Sequence, residues 1–359
     1  MSTPLNPATT VGVLVADDSA FMRTALTRMI ESDAHLRVVG TAQNGVETLE
    51  KVLALKPDVV TLDVEMPRLN GLETLKRIMK ECPRPVIMVS SLTQEGADTT
   101  LEALAEGAFD YCAKQLPYAS LDIVKIREEL VAKIKAAAGS RRPFRNSVAA
   151  ATPIAPVMRD SYQATPAIIA IGTSTGGPKA LQEILPMLPA DLSVGVLIVQ
   201  HMPVGFTGPF ARRLNNLCKI SIREAAQGDL IAPGVVYIAP AGSQMTVSRR
   251  SGPQVGIRLS KGTGNELHVP SVDVMMLSVA EVFGSLAMGI IMTGMGADGV
   301  RGMEAICHLG GLTVGQDEAS CAVYGMPRSC AEMGVLKRVV CLKDIPQQIL
   351  QATRYRRLQ

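Results

Sequence analysis

The stretch AIIAIGTSTGGPKAL, residues 167–181, passes from an apolar strand-like run through a turn of Gly, Ser and Thr into a helix-like segment. An apolar strand that feeds a helix through a glycine-rich turn is the building unit of a parallel α/β sheet. Ser174 sits at the tip of the turn, and two chemistries compete for it. A dinucleotide loop would need G-x-G-x-x-G, but GTSTGG places Ser174 where the second glycine belongs. A Walker loop would need a hydroxyl residue after its lysine, and Lys179 is followed by Ala180. A serine on a tight strand-to-helix turn with small neighbours instead exposes its Oγ and lets backbone N–H groups face an oxyanion. The turn alone leaves a hydrolase and a phosphate cradle both open.

The same alternation extends on either side. From 11 to about 137, short β-branched runs (VGVLVA, RVVGTA, DVVTLD, PVIMVS, FDYCAK) alternate with amphipathic stretches at 21–32, 44–55, 70–81, 95–106 and 120–138. Five strands, each followed by a helix, predict a doubly wound, flavodoxin-like parallel sheet. Residues 139–165 lose that periodicity and collect Pro, Ala, Ser and Arg, which reads as a linker. From 166 to 352 the alternation returns, with a helix at 178–188, the run VGVLIVQH, a helix near 207–217, and strands GIIMTG and GLTVGQD flanking a helix that starts at Asp298. A Gly/Pro-rich region at 228–270 carries short strand-like runs. The second domain is therefore expected to be another doubly wound parallel α/β domain, with a β insertion.

Composition narrows the setting. The 359 residues hold 36 basic and 33 acidic side chains, a net +3 too balanced to imply a nucleic-acid or membrane partner. The N-terminus lacks a charged flank followed by an apolar core, and no run nears the ~20 apolar residues that span a bilayer. Seven cysteines are scattered without a CxxC pair, which favours neither disulfides nor zinc and fits a reducing cytoplasm.

Residues at the carboxyl ends of parallel strands converge on one edge, where ligands bind. In the first domain those ends hold Asp17 and Asp18, Asp63, Ser90 and Lys114. Three carboxylates on one edge repel unless a divalent cation intervenes, and hard oxygen donors suit Mg²⁺. Asp63 then reads as a phosphoryl acceptor, with Lys114 neutralising the group and Ser90 donating to it. VLVADDS, DVVTLDVEMPRLNGLETL, PVIMVSS and GAFDYCAK resemble the response-regulator receiver family. The resemblance implies Mg²⁺ held by Asp17, Asp18, Asp63 and the backbone carbonyl of Glu65, phosphorylation of Asp63 by a histidine kinase, and a switch formed by Ser90 and Tyr111. One departure is Gln115, where the family commonly has Pro.

In the second domain a serine nucleophile needs a base, and VLIVQHMP delivers His201 at a strand end. GIIMTGMGADGV supplies Asp298 after another strand, placed to accept from the imidazole N–H or to cap the helix that follows. His268 lies in GNELHVPSVD and His308 within a helix-like run, neither at a strand end. IAIGTSTGGPKAL, IVQHMPVGFTGPFARRL, YIAPAG, NELHVPSVDVMMLSVA and GIIMTGMGADGVRGM are similar to the catalytic domain of the chemotaxis methylesterase family. The resemblance implies Ser174 as nucleophile, His201 as general base, Asp298 as orienting acid, the N–H of Met295 in the oxyanion hole and Thr175 beside the serine. It further implies demethylation of glutamate γ-methyl esters and deamidation of glutamines on methyl-accepting chemoreceptors, with no cofactor for the hydrolysis. The unphosphorylated receiver is implied to cover the serine crevice.

Two other classes stand against that expectation. Receivers often precede DNA-binding domains, but residues 167–359 show no compact basic helix-turn-helix pattern. A scaffold docking through its methionines is the other, and Met residues at helical spacing, as in VDVMMLSVAEVF, read better as core.

Overall fold

The computed structural model describes residues 10–91, 93–114, 120–139, 164–250, 252, 254–262 and 267–354. The chain divides into two compact units, Met1–Asn146 and Ser147–Gln359. The stretch read as a linker, 139–165, lies outside the described residues except at 139, 164 and 165, as does Gln115.

The first unit alternates β1 (Val11–Ala16), α1 (Ala20–Glu31), β2 (Leu36–Ala42), α2 (Gly45–Leu55), β3 (Val59–Asp63), α3 (Gly71–Glu81), β4 (Val86–Ser90), α4 (Gln94–Ala105), β5 (Asp110–Ala113) and α5 (Ser120–Gly139). Its strands pair in the order β2-β1-β3-β4-β5, every pair parallel. The apolar stripe of α1 (Met22, Leu26, Met29, Ile30) meets that of α5 (Leu130, Ile134, Ala137) over Val13, Val15, Ile87 and Val89 of the sheet. Helix starts follow local chemistry: Ser19, Asn44, Asn70 and Thr93 each turn a side-chain oxygen to an N–H of the first turn of α1 to α4. Short caps of this kind leave the preceding strand ends free to carry Asp17, Asp63 and Ser90.

The second unit runs β6 (Ile168–Thr173), α6 (Gly177–Ile184), β7 (Gly195–Gln200), α7 (Thr207–Leu217), β8 (Ser221–Glu224), β9 (Val235–Ile238), β10 (Gln244–Arg249), β11 (Val255–Ser260), α8 (Val272–Phe283), β12 (Ala287–Ile291), α9 (Val300–His308), β13 (Leu312–Gln316), α10 (Met326–Glu332), β14 (Arg338–Val340) and α11 (Ile345–Ala352). Seven strands form a wholly parallel sheet in the order β14-β13-β12-β6-β7-β9-β8. The β insertion is the antiparallel hairpin β10–β11, which packs with α8. Met275 and Met276 of α8 are wholly buried beside Met303 and Ile306 of α9, so this methionine-rich run is core, as its spacing predicts.

Two element boundaries differ from expectation. The helix expected over 178–188 is α-helical only to Ile184 and finishes as a 3₁₀ turn, Leu185–Met187, where Pro186 removes an N–H donor. The helix expected to open at Asp298 begins at Val300, and Gly299, at φ +105°, occupies its cap in a conformation that favours glycine. Asp298 is thereby released from capping its own helix.

Candidate active site and acidic site

Because β12, β6 and β7 are adjacent, the turns leaving their carboxyl ends meet over one edge of the sheet. Ser174 follows β6, His201 follows β7, and Asp298 lies in the turn after β12. The serine turn is tied down on both sides. Ser174 N–H donates to Thr293 O at 3.0 Å, Thr293 Oγ1 donates to Thr175 O at 2.9 Å, and Gly177 N–H closes the turn onto Ser174 O at 2.8 Å. Gly294 is there because of space: a Cβ would come within 2.9 Å of the Ser174 Cβ and 3.1 Å of its backbone nitrogen. Met295, half-buried, follows directly, and Thr175 is buried.

His201 Nε2 lies 2.8 Å from Asp298 Oδ2. The carboxylate also accepts from Val272 N–H on Oδ2 and from Ser271 Oγ and Asp273 N–H on Oδ1, at 2.8, 2.8 and 2.9 Å. Those amides open α8, so Asp298 caps a helix distant in sequence instead of its own, in the field of that helix's amino end. Burial works against its charge, but the hydrogen bonds from His201, Asp273 and Val272 overcome it and hold the carboxyl at about 2. An ionised carboxylate only accepts, so the imidazole proton resides on Nε2 and the lone pair on Nδ1. His201 Nδ1 is buried and finds no hydrogen-bond partner among the described residues. Of the two ring nitrogens, Nδ1 is the one left able to accept a proton.

Sequence reasoning missed three supports. Ser271 caps α8 by accepting from Val274 N–H at 3.4 Å while it donates to Asp298; a serine before a helical run signals the cap but not the second role. The His268 ring stacks on His201, centroids 4.0 Å apart and 15° from parallel, a contact no local pattern announces. Asp273 accepts from Gly299 and Gly302 N–H and Arg301 Nε, anchoring the start of α9 behind Asp298.

In the first unit, donor oxygens of Asp17, Asp18 and Asp63 lie within 4.8 Å of one another. Lys114 Nζ is 2.7 Å from Asp63 Oδ2, 3.1 Å from Asp17 Oδ2 and 3.9 Å from Asp18 Oδ1. One ammonium cannot neutralise three carboxylates. Burial, with the Asp17 charge adding and Lys114 opposing, pushes the Asp63 carboxyl up to about 6, and burial raises Asp17 likewise. Asp17 Oδ2 is buried and, despite the nearby ammonium, accepts no well-directed hydrogen bond among the described residues. Excess negative charge, hard oxygen donors and an unsatisfied buried oxygen fit a divalent cation such as Mg²⁺. The Glu65 N–H reaches Asp63 Oδ1 at 3.4 Å, while its carboxylate accepts from Ser91. Ser90 is buried at the end of β4, its hydroxyl turned to the carbonyls of Ser91 and Gly96, 3.1 Å each, and so engaged away from Asp63. Tyr111 is buried in β5, with Lys133 Nζ bonded to its carbonyl at 2.6 Å and 5.1 Å from its ring centre. No described helix is long and apolar enough to cross a membrane.

Residues 169–349 match the family model of the CheB methylesterase, and residues 13–124 that of the response regulator receiver domain. The chain is 43% identical to protein-glutamate methylesterase/protein-glutamine glutaminase 1 of Oleidesulfovibrio alaskensis, over 95% of this chain and 99% of that one. It is 46% identical to the protein-glutamate methylesterase/protein-glutamine glutaminase of Symbiobacterium thermophilum, over 95% and 97%. The crystal structure of the Thermotoga maritima CheB methylesterase catalytic domain superposes with a TM-score of 0.51 at 35% identity, covering 52% of this chain and 99% of that one. The chain belongs to the CheB methylesterase family, with a response regulator receiver domain ahead of its methylesterase domain.

Proposed function

We propose that the protein is a protein-glutamate methylesterase and protein-glutamine glutaminase of the cytoplasm, acting on methyl-accepting chemoreceptors and activated by phosphorylation of Asp63. The observation that carries the reading is the Asp298–His201 hydrogen bond between the ends of the two strands that flank the Ser174 strand, with His201 Nδ1 left without a partner among the described residues. Ser174 Oγ attacks the γ-ester carbonyl as His201 Nδ1 takes its proton, and the tetrahedral oxyanion is met by backbone N–H groups including that of Met295, with Thr175 alongside. Asp298 stabilises the imidazolium, which then protonates the departing methanol. Water, deprotonated at Nδ1, resolves the glutamyl-serine ester. Glutamine follows the same route with ammonia leaving, a poorer leaving group, so the ester is the faster substrate. No cofactor enters the hydrolysis.

The receiver supplies control. Asp63 attacks the phosphoryl group of a histidine kinase or a small phosphodonor, and Lys114 neutralises the product's oxygens. Asp17, Asp18, Asp63 and the Glu65 carbonyl would hold Mg²⁺, which when bound offsets charge on the transferring phosphoryl group. Ser90 leaves its loop carbonyls to donate to the phosphoryl group, and Tyr111 completes the switch. The phosphoryl adds roughly −1.5 to −2 charge at Asp63, and a tenfold shift between two conformations takes only about 1.4 kcal/mol. The balanced net charge supports a partner set without nucleic acid or direct membrane insertion.

The test is methanol release from methyl-labelled receptor membranes by wild type and Ser174→Ala, each with and without Mg²⁺ and acetyl phosphate. Release by wild type, accelerated by the phosphodonor and absent in Ser174→Ala, is expected. Equal release by both proteins would overturn the nucleophile, and no response to the phosphodonor would overturn the control.

A further inference from the structure

Between the Ser174 turn and His201 lies a side chain with no part in the proposed acyl-transfer steps. Gln200 ends β7, is 1% exposed, and pairs in register with Thr173, the residue before Ser174. Its Nε2 donates to Ser174 O at 2.9 Å and to His201 O at 3.0 Å. Two carbonyl acceptors can be met by an amide only through its NH₂, one hydrogen to each, so the orientation of the amide follows from its partners. The other end, Oε1, is buried without a hydrogen-bond partner among the described residues, and Gly177 leaves room for it: a Cβ there would fall on Gln200 Oε1 and Thr173 Oγ1. A backbone tie just beyond the β6–β7 ladder is His201 N–H to Thr173 O at 3.2 Å.

From these contacts we infer that Gln200 is a positioning residue, its carboxamide bridging the backbone of the nucleophile to the backbone of the base and so setting the Ser174–His201 spacing. The inference rests on the proposed Ser174–His201 chemistry. A buried amide that leaves its own oxygen unsatisfied is a costly way to fill space, since an apolar side chain of the same length would fill it without that penalty. What the amide adds is geometry. Ser174 and His201 sit on separate turns, and the bridge joins their main chains directly, where misplacement of about 1 Å costs near 10²-fold in rate.

The experiment compares wild type, Gln200→Met, Gly177→Ala, Ser174→Ala and the Gln200→Met/Ser174→Ala double variant in methanol release from methyl-labelled receptor membranes, with a thermal melt of each. Gln200→Met, matched in length but unable to donate, is expected to lower kcat roughly 30- to 100-fold with KM within about twofold and the melt still above the assay temperature. Gly177→Ala, which displaces the amide by bulk, is expected to show the same split between kcat and KM. In the Ser174→Ala background the same Met substitution is expected to change the residual rate less than twofold, because the bridge acts through the serine. A kcat for Gln200→Met within threefold of wild type overturns the inference, as does an equal fractional loss in the two backgrounds, which marks a purely structural role. If Gln200→Met melts below the assay temperature, Gly177→Ala decides on the same criteria, and if both melt, Gln200 acts as a fold residue and the inference falls. Equal activity of wild type and Ser174→Ala would instead count against the serine reading, leaving the two failures distinct.

Discussion

Replacing Asp298 by Asn keeps the shape of the side chain and removes its charge, and the structure dictates how much that costs. Oδ1 receives Ser271 Oγ–H and Asp273 N–H, while Oδ2 receives Val272 N–H and the His201 Nε2 proton. The Asn oxygen can serve one of these pairs, and its NH₂ must then face the other. The carboxyl is held at about 2 from an ordinary 3.8. That displacement corresponds to about 2 kcal/mol favouring the charged carboxylate, even after burial has worked against it. With the amide oxygen on the α8 amino end through Oδ1, the NH₂ faces Nε2 and drives the imidazole proton to Nδ1, the nitrogen proposed as base. Recovering the reactive tautomer costs about another 2 kcal/mol, so the two effects together predict a kcat near 10³-fold lower, with KM little changed. Single-turnover methanol release measures it. A kcat within tenfold of wild type would refute both the tautomer assignment and the role of the pair. The same carboxylate carries a pH signature. Its folded pKa is depressed, so its contribution to stability is fully present above about 3.8 and is lost as pH falls through about 2, a loss that urea unfolding of Asp298→Asn across this window should lack.

Three further perturbations test neighbouring parts. Ser271→Ala removes both the cap of α8 and a donor to Asp298; a stability loss of about 1 kcal/mol with a kcat decrease of about three- to tenfold is expected, read by urea unfolding and methanol release. Gly294→Ala forces a methyl against the Ser174 Cβ and backbone nitrogen and against Met326 Sδ, so it should cost about 1–3 kcal/mol of stability and at least ~100-fold in kcat, and an active, fully stable variant would show that the turn is softer than its packing implies. In the acidic site, Asp63→Asn relieves a buried carboxylate displaced to about 6; with EDTA at pH 7.5 it should raise receiver stability by up to about 3 kcal/mol and blunt the stabilisation by added Mg²⁺, and equal Mg²⁺ responses in the two proteins would remove Asp63 from the ligand set.

The strand-end rule explains why so much of both sites was readable. In a parallel sheet every strand delivers its last residues to the same edge, so a list of carboxyl-end residues is already a list of neighbours, provided the strands themselves are neighbours. That proviso was not legible. Nothing in residues 167–201 and 287–298 announces that β12 lies beside β6, yet the adjacency β12-β6-β7 is what makes Asp298 a partner of His201. Pairing in a sheet is a contact across about a hundred residues, and local periodicity carries no record of it. The fixed side-chain alternation of strands and the caps of α1 to α4 are local, and those the sequence could declare.

The role of Asp298 is the sharpest case of a local signal with a non-local answer. An Asp before a helical run is by base expectation the cap of that run, and on the sequence alone this reading stands beside the catalytic one. Gly299 at φ +105° takes the cap position of α9, and its glycine freedom lets the chain carry Asp298 across to the amino end of α8. There the preceding Ser271 and the first two amides of α8 form an anion site that keeps the carboxylate ionised. Ionisation makes it acceptor-only, acceptor-only fixes the proton on Nε2, and the proton on Nε2 leaves Nδ1 as the nitrogen able to accept a proton. A conformational preference of one glycine thus decides which nitrogen of His201 is left open to a proton.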